Sequence, residues 1–218
     1  MIQDAASTPA APLFLAVEGP DGSGKSTQAA ALADALRARG ASVVLTREPG
    51  GTDLGERIRS LVLDPAHAPI DARTEALLFA AARAAHAERA IRPALAAGSW
   101  VVSDRYVDSS IAYQGRGRGL GVEPIATLND WATGSLLPDL TVVLDVAART
   151  AEARRRTREQ GAGHTADRME QETANQHELL RSAFLERAAA DPERYLVLDA
   201  SRPTQELTDA VLERVWHA

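Results

Sequence analysis

Five short apolar runs punctuate the chain, at residues 13–18, 43–46, 100–103, 141–145 and 195–198. A strand with one face in water alternates apolar and polar residues. These runs do not, which predicts strands buried on both faces. Ala- and Leu-rich stretches separate them. Residues 28–37 place Leu32, Ala35 and Leu36 at helical spacing, and 74–97 reads as one long helix. Strand–helix alternation predicts an α/β fold with a five-stranded parallel sheet and helices on both faces. Gly134 and Pro138 punctuate the approach to the fourth strand. The Ala/Pro-rich residues 1–12 are expected to form a disordered tail, leaving 13–218 as a single domain.

In open parallel sheets ligands bind beyond the carboxyl ends of the strands, so the segments that follow each strand are where chemistry belongs. After the first comes Gly19, Pro20, Asp21, Gly22, Ser23, Gly24, Lys25, Ser26 and Thr27. This string satisfies G-x-x-x-x-G-K-[ST], and its flanking strand and helix are the setting that motif needs. Backbone N–H groups and the positive end of the following helix then face an anion. Lys25 is the only lysine among 24 basic side chains. Arginine serves everywhere else, but a backbone cradle has room for a compact point charge and not for a planar fork. The motif predicts a nucleoside triphosphate with Mg²⁺, the Ser26 hydroxyl on the metal. It does not separate a kinase from an ATPase or a switch.

Composition narrows the partners. A net charge of −6 argues against polymeric nucleic acid, which calls for a basic stripe. Zero cysteines exclude disulfides, thiolate metal sites and a cysteine nucleophile, and fit a reducing cytoplasm. No apolar run approaches the ~20 residues needed to span a membrane. The first residues lack the basic and apolar regions of a signal peptide. The five histidines show no paired metal spacing.

Other candidates follow from position. Asp104, at the end of the third strand, suits a Walker-B acid holding Mg²⁺, with Asp145 at the end of the fourth as its competitor. Arg105 is adjacent, so it reaches the same space as Asp104 only if the backbone turns; there it can fork onto phosphate oxygens. Arg154, Arg155, Arg156 and Arg158 form a dense run before Gly161 and Gly163. A solvated helix face with a Glu152–Arg156 pair is the plain reading; a lid over about 150–168 that closes arginines onto transferring phosphates is the functional one. Phe79 and Arg83, four apart, offer an aromatic plate beside a guanidinium, or simply a core ring and a surface arginine.

Together the strings EGPDGSGKSTQ (18–28), TREPGGT (46–52), TEALLFAAARAAH (74–86), SDRYVDSSIAYQGRGRGLG (103–121), PDLTVVLDV (138–146) and DRMEQE (167–172) resemble the bacterial thymidylate kinases. The resemblance implies the P-loop nucleoside monophosphate kinase fold, with a mobile lid, and phosphorylation of dTMP by Mg·ATP. It implies Lys25 on the ATP phosphates, Asp21 near the acceptor sugar and metal, and Ser26 and Asp104 at the metal. Arg105 and Arg59 would serve the acceptor phosphate, Phe79 would stack on thymine, and Arg83 would donate to a thymine carbonyl. Ser110, Tyr113 and Gln114 would line base and deoxyribose, with Glu48 and Pro49 as the floor. Gly22 stands where one group of the family carries an arginine, which points to the lid-arginine group and to Arg154 or Arg158. The family usually forms homodimers, and the small residues 80–85 would permit close helix packing. The rival readings are another P-loop nucleotide kinase, taking dUMP or UMP, and a nucleotide-dependent switch without a small acceptor.

Overall fold

The computed structural model describes residues 11–162 and 174–216, with side chains to residue 157 in the first stretch and from 175 in the second. Residues 1–10 of the expected tail, residues 163–168 of the expected lid, the whole DRMEQE string and the Arg158 side chain lie outside these residues. The strands are β1 (Phe14–Glu18), β2 (Val43–Arg47), β3 (Trp100–Asp104), β4 (Leu140–Asp145) and β5 (Tyr195–Asp199). They form one parallel sheet in the order β2-β3-β1-β4-β5. The strand leading into the glycine loop is central, and Val17 pairs in register with Asp104.

The helices are α1 (Lys25–Ala38), α2 (Asp53–Leu63), α3 (Ala72–His86), α4 (Arg92–Ala96), α5 (Val107–Ser110), α6 (Val122–Thr133), α7 (Ala148–Ala162), α8 (Ala174–Ala190) and α9 (Thr204–Trp216). Strand parity divides them between the two faces. Leu15 and Val17 point into a core with Leu32 and Leu36 of α1 and Val211 and Leu212 of α9. Phe14 and Ala16 point the other way, against Ile91, Tyr106, Ile111 and Ile125. Each fully buried leucine contributes roughly 1.5–3 kcal/mol, and truncating Leu36 to alanine would cost about 2–5 kcal/mol. The two-sided burial is why the strands read as unbroken apolar runs.

The helix expected over 74–97 is two helices joined by a π turn at Ala87–Ile91. Pro93 has no N–H, and its ring collides with the carbonyl four residues back in a regular helix. The widened turn lies just ahead of it, where the ladder has to break. Asp71 caps the start of α3, accepting from Arg73 N and Thr74 N. A second π turn, Ile111–Gly117, carries Tyr113 and Gln114. Gly161, which follows the arginine run, lies inside α7. The small residues Ala80, Ala82 and Ala85 are buried within the chain itself, Ala82 against Ile58 and Val62 of α2.

Candidate active site

A cleft of about 720 Å³ opens at the carboxyl edge of the sheet. The loop residues Asp21 to Thr27 line it, joined by Arg47, Glu48 and Pro49 after β2, Asp104 and Arg105 after β3, and Ala200 and Arg202 after β5. Gly19 and Pro20 stand behind: their carbonyls accept from Arg105 Nη1 at 3.3 Å and from Lys25 Nζ at 2.9 Å. Helix α1 starts at Lys25, after Gly24 in the left-handed region, with no side-chain cap. Its first N–H groups therefore face the cleft without a competing acceptor. Gly22 has φ +84°, and a Cβ there would stand 2.4 Å from the Ala151 carbonyl oxygen. The backbone of α7 thus sits directly on the loop, leaving no volume for a side chain at position 22.

Lys25 is 7% exposed. Burial, reinforced by Arg105, lowers its pKa from 10.5 to about 8, against the opposing pull of Asp21 and Asp104. Asp21 receives Arg105 Nη2 and the Tyr113 hydroxyl, the latter at 3.1 Å. Burial works to raise its pKa, but Arg105 and Lys25 overcome it and hold the carboxyl well below the usual range.

Asp104 and Arg105 do reach the same cleft, because Arg105 takes φ 73°, the backbone turn their adjacency requires. Arg105 lies 5.2 Å over the Tyr113 ring and donates to Ser109 Oγ at 2.9 Å. Behind it, Glu18 accepts from Tyr106 N, Ser109 N and Ser109 Oγ at 2.7, 3.1 and 2.6 Å. Burial, then Asp108, pushes the Glu18 carboxyl up to about 7.

Ser26 Oγ donates to Asp104 Oδ2 at 2.5 Å, while Asp104 Oδ1 is buried with no hydrogen-bond partner. A hydroxyl and a carboxylate with one unused oxygen suit a divalent cation that keeps most of its waters, so these residues fit Mg²⁺. The competing Asp145 is engaged elsewhere, paired with Arg181 at 2.5 and 3.0 Å.

At the far end of the cleft stand Arg59, Leu63, Phe79, Arg83, Ser110, Tyr113 and Gln114. Arg59 Nη1 donates to Pro49 O at 3.0 Å. Arg83 is buried rather than on the surface. It donates from Nε to Glu48 Oε2 at 2.6 Å, from Nη1 to Ser110 Oγ at 2.9 Å and to Asn129 Oδ1, and from Nη2 to Tyr106 O at 3.1 Å. Glu48 Oε1 meets His86 Nδ1 at 2.9 Å, and His86 Nε2 meets Thr46 Oγ1 at 2.7 Å.

At the near end, Arg154 bonds Ser23 O at 3.3 Å and Ala200 O at 2.7 Å, and Arg155 bonds Asp21 O at 3.2 Å. Arg156 turns outward and pairs with Glu152 at 2.5 Å. Ala200, Arg202, Thr204 and Leu207 line the cleft without having been singled out in the sequence. The strand-end rule applied to β5 would have found Ala200 and Arg202. The lining carries eight basic and three acidic side chains in a chain of net charge −6. The positive charge is local, as a small polyanion requires. Among the described residues no cluster of metal-ligating side chains occurs, and no helix is long and apolar enough to cross a membrane.

Comparison with known proteins agrees with this geometry. The family described as Thymidylate kinase matches residues 17–211. A thymidylate kinase of Symbiobacterium thermophilum is 49% identical over 195 residues, 89% of this chain and 88% of that protein. One from Clavibacter michiganensis is 50% identical over 202 residues, 93% of each chain. One from Ectopseudomonas mendocina is 47% identical over 209 residues, covering 94% and 97%.

Proposed function

The chain belongs to the thymidylate kinase family, and from that premise we propose that it transfers the γ-phosphate of Mg·ATP to dTMP, giving dTDP and ADP. The observation that carries the reading is the two-ended cleft: a glycine loop with Lys25 at one end, a base-sized site with Phe79 and Arg83 at the other, and arginines between. A switch has no use for the second end.

ATP lies with its phosphates on the N–H groups of residues 21–27 and its base toward Ala200, Thr204 and Leu207. Lys25 bridges its phosphates and stabilises the transferring one. Arg154 and Arg155 approach from α7, and Arg158 is the further lid candidate. Arg105 and Arg59 take the dTMP phosphate, which competes with Asp21 for the Arg105 guanidinium. Phe79 stacks on thymine, Arg83 donates to a thymine carbonyl, and Ser110, Tyr113 and Gln114 line base and deoxyribose over the floor of Glu48 and Pro49. Four of the five Arg83 N–H groups are engaged within the protein, so one Nη2 hydrogen is left for the base. Ser26 and Asp104 would hold Mg²⁺, which would neutralise negative charge on the ATP phosphates.

The acceptor is a phosphate monoester, largely dianionic near pH 7, so its oxygen needs no general base and positioning supplies most of the catalysis. Transfer is in line and without a phosphoenzyme, and closure of α7 excludes water. A second copy of the chain is proposed to cover Leu54, Leu61, Leu77 and Trp131, exposed on helices α2, α3 and α6, which pack side by side. The absence of cysteine accords with work in the cytoplasm.

ADP release with Mg·ATP against dTMP, dUMP, UMP, dCMP, AMP and GMP tests the reading, with Lys25→Ala as control. Fast turnover on dTMP, weaker on dUMP and absent in the control is expected. Equal rates across the panel would refute it.

A further inference from the structure

Gln114 has one amide, and its orientation decides what the cleft is offered. Its Nε2 donates to Glu75 Oε1 at 3.0 Å, with both side chains buried. A carboxylate has no hydrogen to give. The amide therefore cannot turn over without setting oxygen against oxygen in a buried contact, which costs the full desolvation of both groups. Arg118 compensates the Glu75 charge from the other side, Nε to Oε1 at 3.1 Å and Nη2 to Oε2 at 3.3 Å. Gln114 lines the cleft, and its remaining amide oxygen makes no hydrogen bond among the described residues.

Arg83 is the second fixed group, held on three sides and able only to donate. The acceptor end thus presents a rigid donor and a rigid acceptor. A keto pyrimidine is the complement, with a carbonyl at C4 and an N–H at N3. Cytosine reverses both, an amino donor at C4 and a lone pair at N3. We infer that Glu75 is a specificity-determining residue that acts through Gln114, locking its amide oxygen toward the cleft and so selecting a keto over an amino pyrimidine. The inference rests on the dTMP reading above and deepens it. Glu75 does not line the cleft. It lies on α3 at helical spacing with Phe79 and Arg83, so that one helix face supplies the lock, the stacking plate and the donor.

The test is kcat/KM for dTMP and for dCMP in the wild type and in Glu75→Gln. Because Arg118 can only donate to the oxygen that Gln114 uses, Glu75→Gln is made in an Arg118→Gln background, with Arg118→Gln alone as its reference; there a neutral amide at 75 offers Gln114 either a hydrogen or an oxygen, which releases the flip. Sites that leave a buried polar group unpaired reject the wrong partner by up to ~10⁴-fold. The dTMP-to-dCMP ratio is expected to fall at least ~10-fold below that reference, with KM for ATP unchanged. A structural role alone would slow both substrates in parallel, so an unchanged ratio in Glu75→Gln overturns the inference while leaving the dTMP reading intact. A wild type that turns over dCMP as fast as dTMP overturns both. Should Glu75→Gln fold too poorly to assay, the exchange E75Q/Q114E in the same background reverses donor and acceptor across the same contact and again leaves an acceptor oxygen for the base. It is expected to keep the preference for dTMP, and losing that preference overturns the inference.

Discussion

Replacing Gly22 with alanine adds one methyl group where α7 crosses the loop. Two costs follow. At φ +84° an L side chain is strained, by about 1–2 kcal/mol. The new carbon also stands 2.4 Å from Ala151 O and 2.9 Å from Ala151 C, both rigid backbone. Carbon–oxygen contacts settle near ~3.3 Å, so loop and helix must separate by about 0.9 Å. That moves the loop relative to Arg154 and Arg155, which hang from the same turns of α7. A displacement of ~1 Å at a reacting centre costs on the order of 100-fold in rate. The strain alone lowers Tm by about 2–8 °C in a domain of this size. Gly40→Ala is the control: its φ is +86°, but nothing lies within 4 Å of the added carbon. Coupled ADP-release kinetics and thermal melts on both variants separate the effects. Gly40→Ala should lose stability and keep kcat, whereas Gly22→Ala should lose both. If Gly22→Ala turns over at the wild-type rate, the seat of α7 on the loop has no part in catalysis.

Three further outcomes are expected. Holding Lys25 charged in its buried place, with a pKa of about 8 against 10.5, costs ~3 kcal/mol near pH 7; a folded pKa below the unfolded one means stability rises between pH 8 and 10.5. Ligand-free Lys25→Met should therefore melt above wild type at pH 7, the gap closing toward pH 10, and wild-type kcat/KM for ATP should decline above pH about 8; a Lys25→Met variant less stable at pH 7 contradicts this. Asp104→Asn should lose about 10³-fold in rate, the several kcal/mol a bound metal supplies, and weaken the Mg²⁺ dependence without lowering the ligand-free Tm, because Oδ1 has no partner to lose; a Mg²⁺ titration matching wild type would remove Asp104 from the metal. Trp131, 83% exposed, should separate a dimer when replaced by arginine, and sedimentation equilibrium reads it directly: unchanged mass would place the interface elsewhere.

The strands were legible because two-sided burial leaves an unbroken apolar run, and their ends moved by no more than about one residue. Groups carried on a strand end were also legible, since the sheet fixes where they point. The break after α3 was not, because hydrophobic periodicity does not register one extra residue in a turn; Pro93 was the available sign. Glu75, His86 and Asn129 were opaque for another reason. They act through contacts between α3, α6, the second π turn and the end of β2, and no local pattern records which of them meet. The arginine run lies between these cases. Ala151 rests on Gly22, and residues three and four further along a helix share its face. That places Arg154 and Arg155 over the loop and turns Arg156 to solvent, a division that charge counting alone did not make.

The solitary lysine also makes the chain its own reporter of opening. Endoproteinase Lys-C has one bond to cut, between Lys25 and Ser26, in the first turn of α1 and behind a side chain 7% exposed. Cleavage requires that turn to unravel, so its rate follows the population of molecules in which the loop has come apart. Met1 apart, the same residue carries the chain's only primary amine. Its lowered pKa leaves more of it uncharged and nucleophilic at neutral pH than an ordinary lysine. An acylating reagent would therefore mark loop occupancy with one mass increment on the peptide that carries Lys25.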